Sequence, residues 1–111
     1  MTVDLDWENL GFNYRKLPFR YISYYKDGKC DEGQLTEDAT LHISESSPAL
    51  HYGQEAFEGL KAYRTKDGSI QLFRPDENAK RLQRTADRLL MPQVPVEKFV
   101  DACKKVVRAN E

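Results

Sequence analysis

Short strand-like runs of apolar and polar side chains stand between about residues 20 and 73, and apolar positions recur at helical spacing in the last third. Arg20-Tyr21-Ile22-Ser23-Tyr24-Tyr25 is rich in strand formers, and the Asp27-Gly28 pair that follows favours a tight hairpin turn. Lys29 to Leu35 then reads as the returning strand, short and at an edge because it carries Gly33 and several charges. Ala39-Thr40-Leu41-His42-Ile43 reads as another brief strand, with Leu41 and Ile43 on one face and His42 on the other. A strand from Leu60 to Arg64, the turn Thr65-Lys66-Asp67-Gly68 and a partner strand over Ser69-Ile70-Gln71-Leu72-Phe73 complete a second hairpin. Arg74-Pro75 opens a helix: proline suits the first helical position, and Asp76 and Glu77 put negative charge where the helix dipole favours it. Its apolar stripe is Ala79, Leu82, Ala86, Leu89 and Leu90, and Met91-Pro92 ends it. Pro95 and Glu97 open a second helix with the stripe Phe99, Val100, Cys103, Val106 and Val107. The pattern predicts an α+β domain in which a largely antiparallel set of β-hairpins is packed against two consecutive C-terminal helices.

The ends of the pattern set the expected domain organisation. Residues 1–19 hold isolated aromatics (Trp7, Phe12, Tyr14, Phe19) with no period, as an extended arm would, and residues 20–111 form the α+β domain. Between the hairpins, Ser44-Glu45-Ser46-Ser47-Pro48 is a turn cluster leading into His51-Tyr52-Gly53-Gln54-Glu55-Ala56-Phe57-Glu58-Gly59. That run suits neither a plain helix nor a plain strand. Gly53 and Gly59 bracket Phe57, and period-2 alternation starts only after Gly59. The stretch reads as a turn or short helical piece feeding a strand, with Tyr52 and Phe57 projecting where the chain bends. Aromatics placed so either wall a small-molecule pocket or staple the bend as core residues, and pattern alone favours the core.

Composition narrows the function classes. The 111 residues suffice for one domain with a modest core. With 17 basic against 18 acidic residues and a net charge of −1, the chain has no electrostatic footprint for nucleic acid or an anionic membrane. No apolar run approaches a membrane span, and the first residues lack the basic start and apolar stretch of a signal peptide, so a cytoplasmic protein is expected. Cys30 and Cys103 match no metal or C-x-x-C spacing and read as free thiols; no metal site is expected. His42 has no acidic or cysteine partner at a regular offset and reads as structural.

Candidate chemistry begins with a basic stripe on the first helix: Lys80, Arg81, Arg84 and Arg88. One reading is a solvated face with i,i+4 pairs such as Asp76 with Lys80 and Glu77 with Arg81. The other is that one arginine faces inward and holds a phosphate, which its planar, permanently charged fork suits.

The run from Leu50 to Tyr63, followed by Leu72-Phe73-Arg74-Pro75-Asp76-Glu77-Asn78 and then Arg81-Leu82, closely resembles branched-chain amino-acid aminotransferases, which are fold-type IV enzymes using pyridoxal 5'-phosphate. The resemblance extends from about Phe12 to the end of the chain. It implies transfer of the amino group of leucine, isoleucine or valine to 2-oxoglutarate, giving glutamate and a branched 2-oxo acid, in an enzyme that works as a homodimer. It implies that Arg81, just before the hydrophobic residue in this helix, binds the cofactor phosphate. Tyr52 and Phe57 would wall the pocket for the branched side chain, Gly59 would leave room beside it, and Phe12 would lie near it; Lys61 receives no role, and Arg84 and Arg88 stay with the solvated face. In the family the Schiff-base lysine lies in a second, larger domain, and none of the lysines here stands in a matching context. The chain is therefore expected to be an incomplete small domain, without the large cofactor-binding domain and inactive by itself. Other readings are another fold-type IV enzyme (a D-amino-acid aminotransferase or aminodeoxychorismate lyase) and a non-catalytic stand-alone binding or assembly module.

Overall fold

The computed structural model describes Glu8, Gly11 and residues 13–111. Six short strands and three helices follow in the order β1 (Arg20–Ile22), β2 (Tyr25–Lys26), β3 (Lys29–Cys30), β4 (Gln34–Thr36), α1 (Pro48–Tyr52), β5 (Ala62–Arg64), β6 (Ile70–Leu72), α2 (Pro75–Arg88) and α3 (Val96–Ala109). The class is α+β, as the pattern predicts: every strand pair is antiparallel, and two consecutive helices close the described chain. Among the described residues the strands form three separate two-stranded ladders and no continuous sheet. The chain divides into two compact units, one taking the chain up to Thr40 together with Ala102–Glu111, the other Leu41–Asp101. Of the arm expected over residues 1–19, residues 13–19 are described and form neither helix nor strand, while Trp7 and Phe12 lie outside the described residues.

In the first unit, β1–β4 and β2–β3 belong to one long hairpin closed by Asp27-Gly28. Asp27 (φ 53°) and Gly28 (φ 83°) both take positive φ, the geometry that matches a two-residue turn to the strand twist. The returning strand is not continuous from Lys29 to Leu35. Two residues separate β1 from β2 but three separate β3 from β4, so one strand carries an extra residue there. Asp31 organises the mismatch: its Oδ1 accepts hydrogen bonds from Ser23 Oγ (2.7 Å), Tyr24 N (3.1 Å) and Gly33 N (2.9 Å). Gly33 suits its positive φ (75°) there, and a Cβ would have to displace the end of the Tyr21 side chain, whose Oη would lie 2.0 Å from it.

The strand expected over Ala39-Thr40-Leu41-His42-Ile43 does not form; that segment is irregular. At its start, side chains take the backbone groups instead. Arg20 donates to the carbonyls of Asp38 and Thr40, Asp38 N donates to Thr36 Oγ1 (3.1 Å), and Thr40 N donates to Asp38 Oδ1 (2.9 Å). Such local bonds offer the backbone an alternative to a ladder. The unit's ends meet through Asn110, whose amide donates to Phe19 O (2.8 Å) and accepts from Phe19 N (3.0 Å).

The second unit is arranged around α2. Pro75 stands in its first turn with Asp76 and Glu77, as expected, but Arg74 at the N-cap is left-handed (φ 46°) and makes no side-chain cap. Of the stripe expected on α2, Ala79 and Ala86 are buried, whereas Leu89 and Leu90 are exposed, Leu90 to 90 %. The helix ends at Arg88, one turn before Met91-Pro92, and Leu90 (φ 57°) turns the chain away. Gln83 Nε2 then ties the helix to the Val94 carbonyl (2.8 Å) in the connection to α3. The expected hairpin β5–β6 forms, with shorter strands and with Arg64 opposite Ile70. Its turn, however, has three residues inside a Thr65/Ser69 closing pair, with only Gly68 (φ 89°) left-handed.

Candidate functional site

Ahead of β5, the chain from Pro48 makes one short helix and then a stretch with no ladder partner among the described residues. α1 ends where Gly53 turns left-handed (φ 61°) and donates its N–H to the Pro48 carbonyl. From Gln54 onward exposure alternates: Gln54, Ala56, Glu58, Leu60 and Ala62 are half-buried, and Glu55, Phe57, Gly59, Lys61 and Tyr63 are exposed. The alternation therefore begins five residues before Gly59, earlier than the hydrophobic pattern suggests. That pattern misses it because the polarity is inverted. A carboxylate takes an inward position and a phenyl ring an outward one. An exposed large apolar side chain beside a covered charge is the informative departure from ordinary packing.

The segment is stapled along α2 by its inward polar side chains. Gln54 Nε2 donates to the Leu89 carbonyl at the C-terminal end of the helix (2.7 Å). Near the other end, Glu58 receives both arms of one guanidinium: Arg81 Nε to Oε1 at 2.6 Å and Arg81 Nη2 to Oε2 at 2.7 Å. Asn78 Nδ2 adds a hydrogen bond to Glu58 Oε2 (2.9 Å) and one to the Gly59 carbonyl (3.1 Å). Arg81 and Asn78 lie three apart on α2, on one face, as helical spacing requires. The Glu58 side chain is only 6 % exposed, whereas the Arg81 side chain remains 60 % exposed. Partners, not a deep core, cover the carboxylate. The Arg81 hydrogen bonds hold its pKa at about 2 against the desolvation that opposes them, with Asn78 and the nearby charge of Arg84 helping. The guanidinium is correspondingly held above its ordinary value by the same Glu58 contact.

The pairing expected along α2 is partly corrected. Asp76 does meet Lys80 (3.7 Å), but Glu77 faces Arg74 (3.6 Å) and Lys80 (3.2 Å), and Arg81 turns to Glu58. A carboxylate held by both arms of Arg81 outcompetes an exposed i,i+4 contact, which is worth only a few tenths of a kcal/mol, roughly. Arg81, Arg84 and Arg88, with Thr85 and Asp87, line a shallow hollow of about 460 Å³. Three arginines lining one hollow suit a phosphate in donor type and charge, and Arg81 Nη1 has no hydrogen-bond partner among the described residues. Arg84 and Arg88 thus share a concave surface with Arg81.

Tyr52 is 86 % and Phe57 90 % exposed, so neither is a core staple within this chain. Gly59, with Leu60, Lys61, Tyr63, Phe73 and Asn78, lines a second hollow of about 490 Å³, and a Cβ at Gly59 would meet nothing within 4 Å. The structure thus brings Arg81 and Gly59 together through Asn78 and Glu58. Phe12 lies outside the described residues. Sequence reasoning missed Glu58 and Asn78; the available signal was an acid placed between Ala56-Phe57 and Gly59-Leu60. Among the described residues no group of His, Cys, Asp and Glu could hold a metal ion, and no helix is long and apolar enough to cross a membrane.

No family model matches the chain. Known proteins do. A branched-chain-amino-acid aminotransferase of Haemophilus influenzae is 70 % identical over 108 residues, covering 97 % of this chain and 32 % of that protein. One from Helicobacter pylori is 56 % identical over 108 residues, with the same coverage of 97 % and 32 %. A methionine aminotransferase of Arabidopsis thaliana is 44 % identical over 110 residues, covering 98 % of this chain and 31 % of that protein. What the chain is similar to is thus a set of amino-group transferases, of whose length it spans about a third. Over nearly its whole length the chain is similar to the corresponding part of branched-chain-amino-acid aminotransferases.

Proposed function

We propose that the full-length protein transfers the amino group of leucine, isoleucine or valine to 2-oxoglutarate with pyridoxal 5'-phosphate. The observation that carries this reading is the 70 % identity to a branched-chain-amino-acid aminotransferase over 97 % of the chain. Bound cofactor would supply the electron sink that lets an amino group leave one carbon skeleton and join another. Arg81 would hold its phosphate, with Arg84 and Arg88 adding positive charge around the same hollow. Tyr52 and Phe57 would present their exposed rings to the branched side chain, and Gly59 would keep the space beside them open. The Schiff-base lysine belongs to the remainder of the protein, so the 111 residues alone do not catalyse transfer. The working enzyme is a cytoplasmic homodimer whose partners are small molecules: branched-chain amino acids, 2-oxoglutarate and glutamate.

The test is Phe57→Ala in the full-length enzyme. Each methylene lost from an apolar contact is worth about 1–3 kcal/mol of discrimination. KM for valine and leucine is therefore expected to rise about tenfold or more, with glutamate changed far less. Equal losses for all three substrates would remove Phe57 from the apolar pocket. Absence of leucine-dependent glutamate formation by the unmutated enzyme would overturn the reaction itself.

A further inference from the structure

We infer that Glu58 and Asn78 are positioning residues that hold the Arg81 guanidinium for the cofactor phosphate, an inference that rests on the reading of Arg81 above. A guanidinium on a flexible side chain, 60 % exposed, would ordinarily sample many rotamers. Here both Nε and Nη2 are engaged by one carboxylate at 2.6 and 2.7 Å, which fixes the plane and direction of the fork. Two of its three nitrogens are committed to Glu58, and Nη1 is left to meet an anion.

The carboxylate is itself held. Asn78 Nδ2 donates to Glu58 Oε2 and to the Gly59 carbonyl, so one amide sets the side chain of Glu58 and the backbone next to it. The chain Gly59–Asn78–Glu58–Arg81 thereby links the backbone of the proposed substrate pocket to the proposed phosphate anchor. Glu58 also carries negative charge beside a site for an anion. On charge alone it would weaken phosphate binding, so its contribution must come from geometry. That opposition makes the inference testable, because a merely electrostatic neighbour and a positioning residue shift affinity in opposite directions.

The experiment uses the full-length protein, freed of cofactor, and measures the dissociation constants of pyridoxal 5'-phosphate and of pyridoxal. Their ratio isolates what the phosphate contributes; a general folding defect would weaken both. Glu58→Gln should lower the preference for the phosphorylated form about tenfold or more, as expected for losing a hydrogen bond between charged groups. Asn78→Ala, which keeps the carboxylate, should lower it by a smaller factor and decides the matter if Glu58→Gln does not fold. An unchanged preference, or tighter binding of pyridoxal 5'-phosphate, would overturn the inference. Arg81→Met separates the two levels. If it abolishes the preference while Glu58→Gln and Asn78→Ala leave it intact, only the positioning role falls. If Arg81→Met also leaves it intact, the phosphate is held elsewhere and both readings fall.

Discussion

Glu58 and Gly59 are adjacent in sequence and answer to different constraints. Glu58 faces α2 and is ionised against the burial that opposes it, because Arg81 donates two hydrogen bonds. Its folded pKa, about 2, lies below the ordinary 4.5, so its contribution to stability is fully present above the ordinary value and is lost as pH falls through the folded one. A carbon-13 titration of the Glu58 carboxyl should show a midpoint near 2, moving up towards the ordinary range in Arg81→Met. A midpoint already at the ordinary value would break the ion pair as described. Gly59 has neither positive φ nor a neighbour within 4 Å of a built Cβ, so nothing described in this chain requires glycine there. Gly59→Ala should leave the full-length protein as stable, or more stable by about 0.5 kcal/mol through a less flexible unfolded chain. Its effect should instead appear in KM for the branched substrates. Loss of stability without loss of substrate binding would make Gly59 a folding residue.

At the scale of elements, Gly68 shows where a glycine is demanded by the backbone. It is the left-handed residue of the β5–β6 turn (φ 89°), its N–H donates to Thr65 O (3.0 Å), and its carbonyl accepts from Arg64 Nη1 (2.9 Å). A Cβ there meets nothing within 4 Å, so Gly68→Ala isolates backbone strain, expected at about 1–2 kcal/mol in denaturant unfolding of the full-length protein. Gly68→Asn should cost less, since asparagine tolerates the left-handed region; equal costs would mean that the side chain and not φ is responsible. Elements of this kind were legible in the sequence because the determining residues are neighbours: Asp27-Gly28, Asp67-Gly68, and Pro75 with two acids behind it. Leu41 and Ile43 misled because a two-residue alternation carries no record of Arg20, some twenty positions away, which takes the carbonyls a ladder would need. Glu58 escaped for the same reason, its partner being 23 residues on. The basic stripe of α2 was legible and the resemblance singled out Arg81, but its partner was not, since helical spacing points to Glu77 and carries nothing of Glu58.

For the molecule as a whole, the described residues bury few large side chains. The buried hydrophobic residues are two alanines, Ala79 and Ala86, while Leu41, Leu50, Tyr52, Phe57, Tyr63, Phe73 and Leu90 are all more than half exposed. Scattered apolar side chains on a surface are ordinary, but here seven large ones within one unit of about sixty residues stand against a buried hydrophobic set of two alanines among the described residues. On the proposed reading, the remainder of a polypeptide about three times as long covers them, together with cofactor and substrate. The 111-residue polypeptide alone should then bind 8-anilinonaphthalene-1-sulfonate strongly and unfold with little cooperativity. The full-length protein should leave the dye dark. On the same reading the isolated chain should also give no Schiff-base band with pyridoxal 5'-phosphate, because Arg81 would meet the phosphate while the lysine for the aldehyde would lie in the remainder of the protein. A dye-silent, cooperatively unfolding chain would show that these side chains find cover within the 111 residues. A borohydride-reducible adduct on one of its own lysines would move the reacting group into this part of the protein and overturn the division of labour proposed for it.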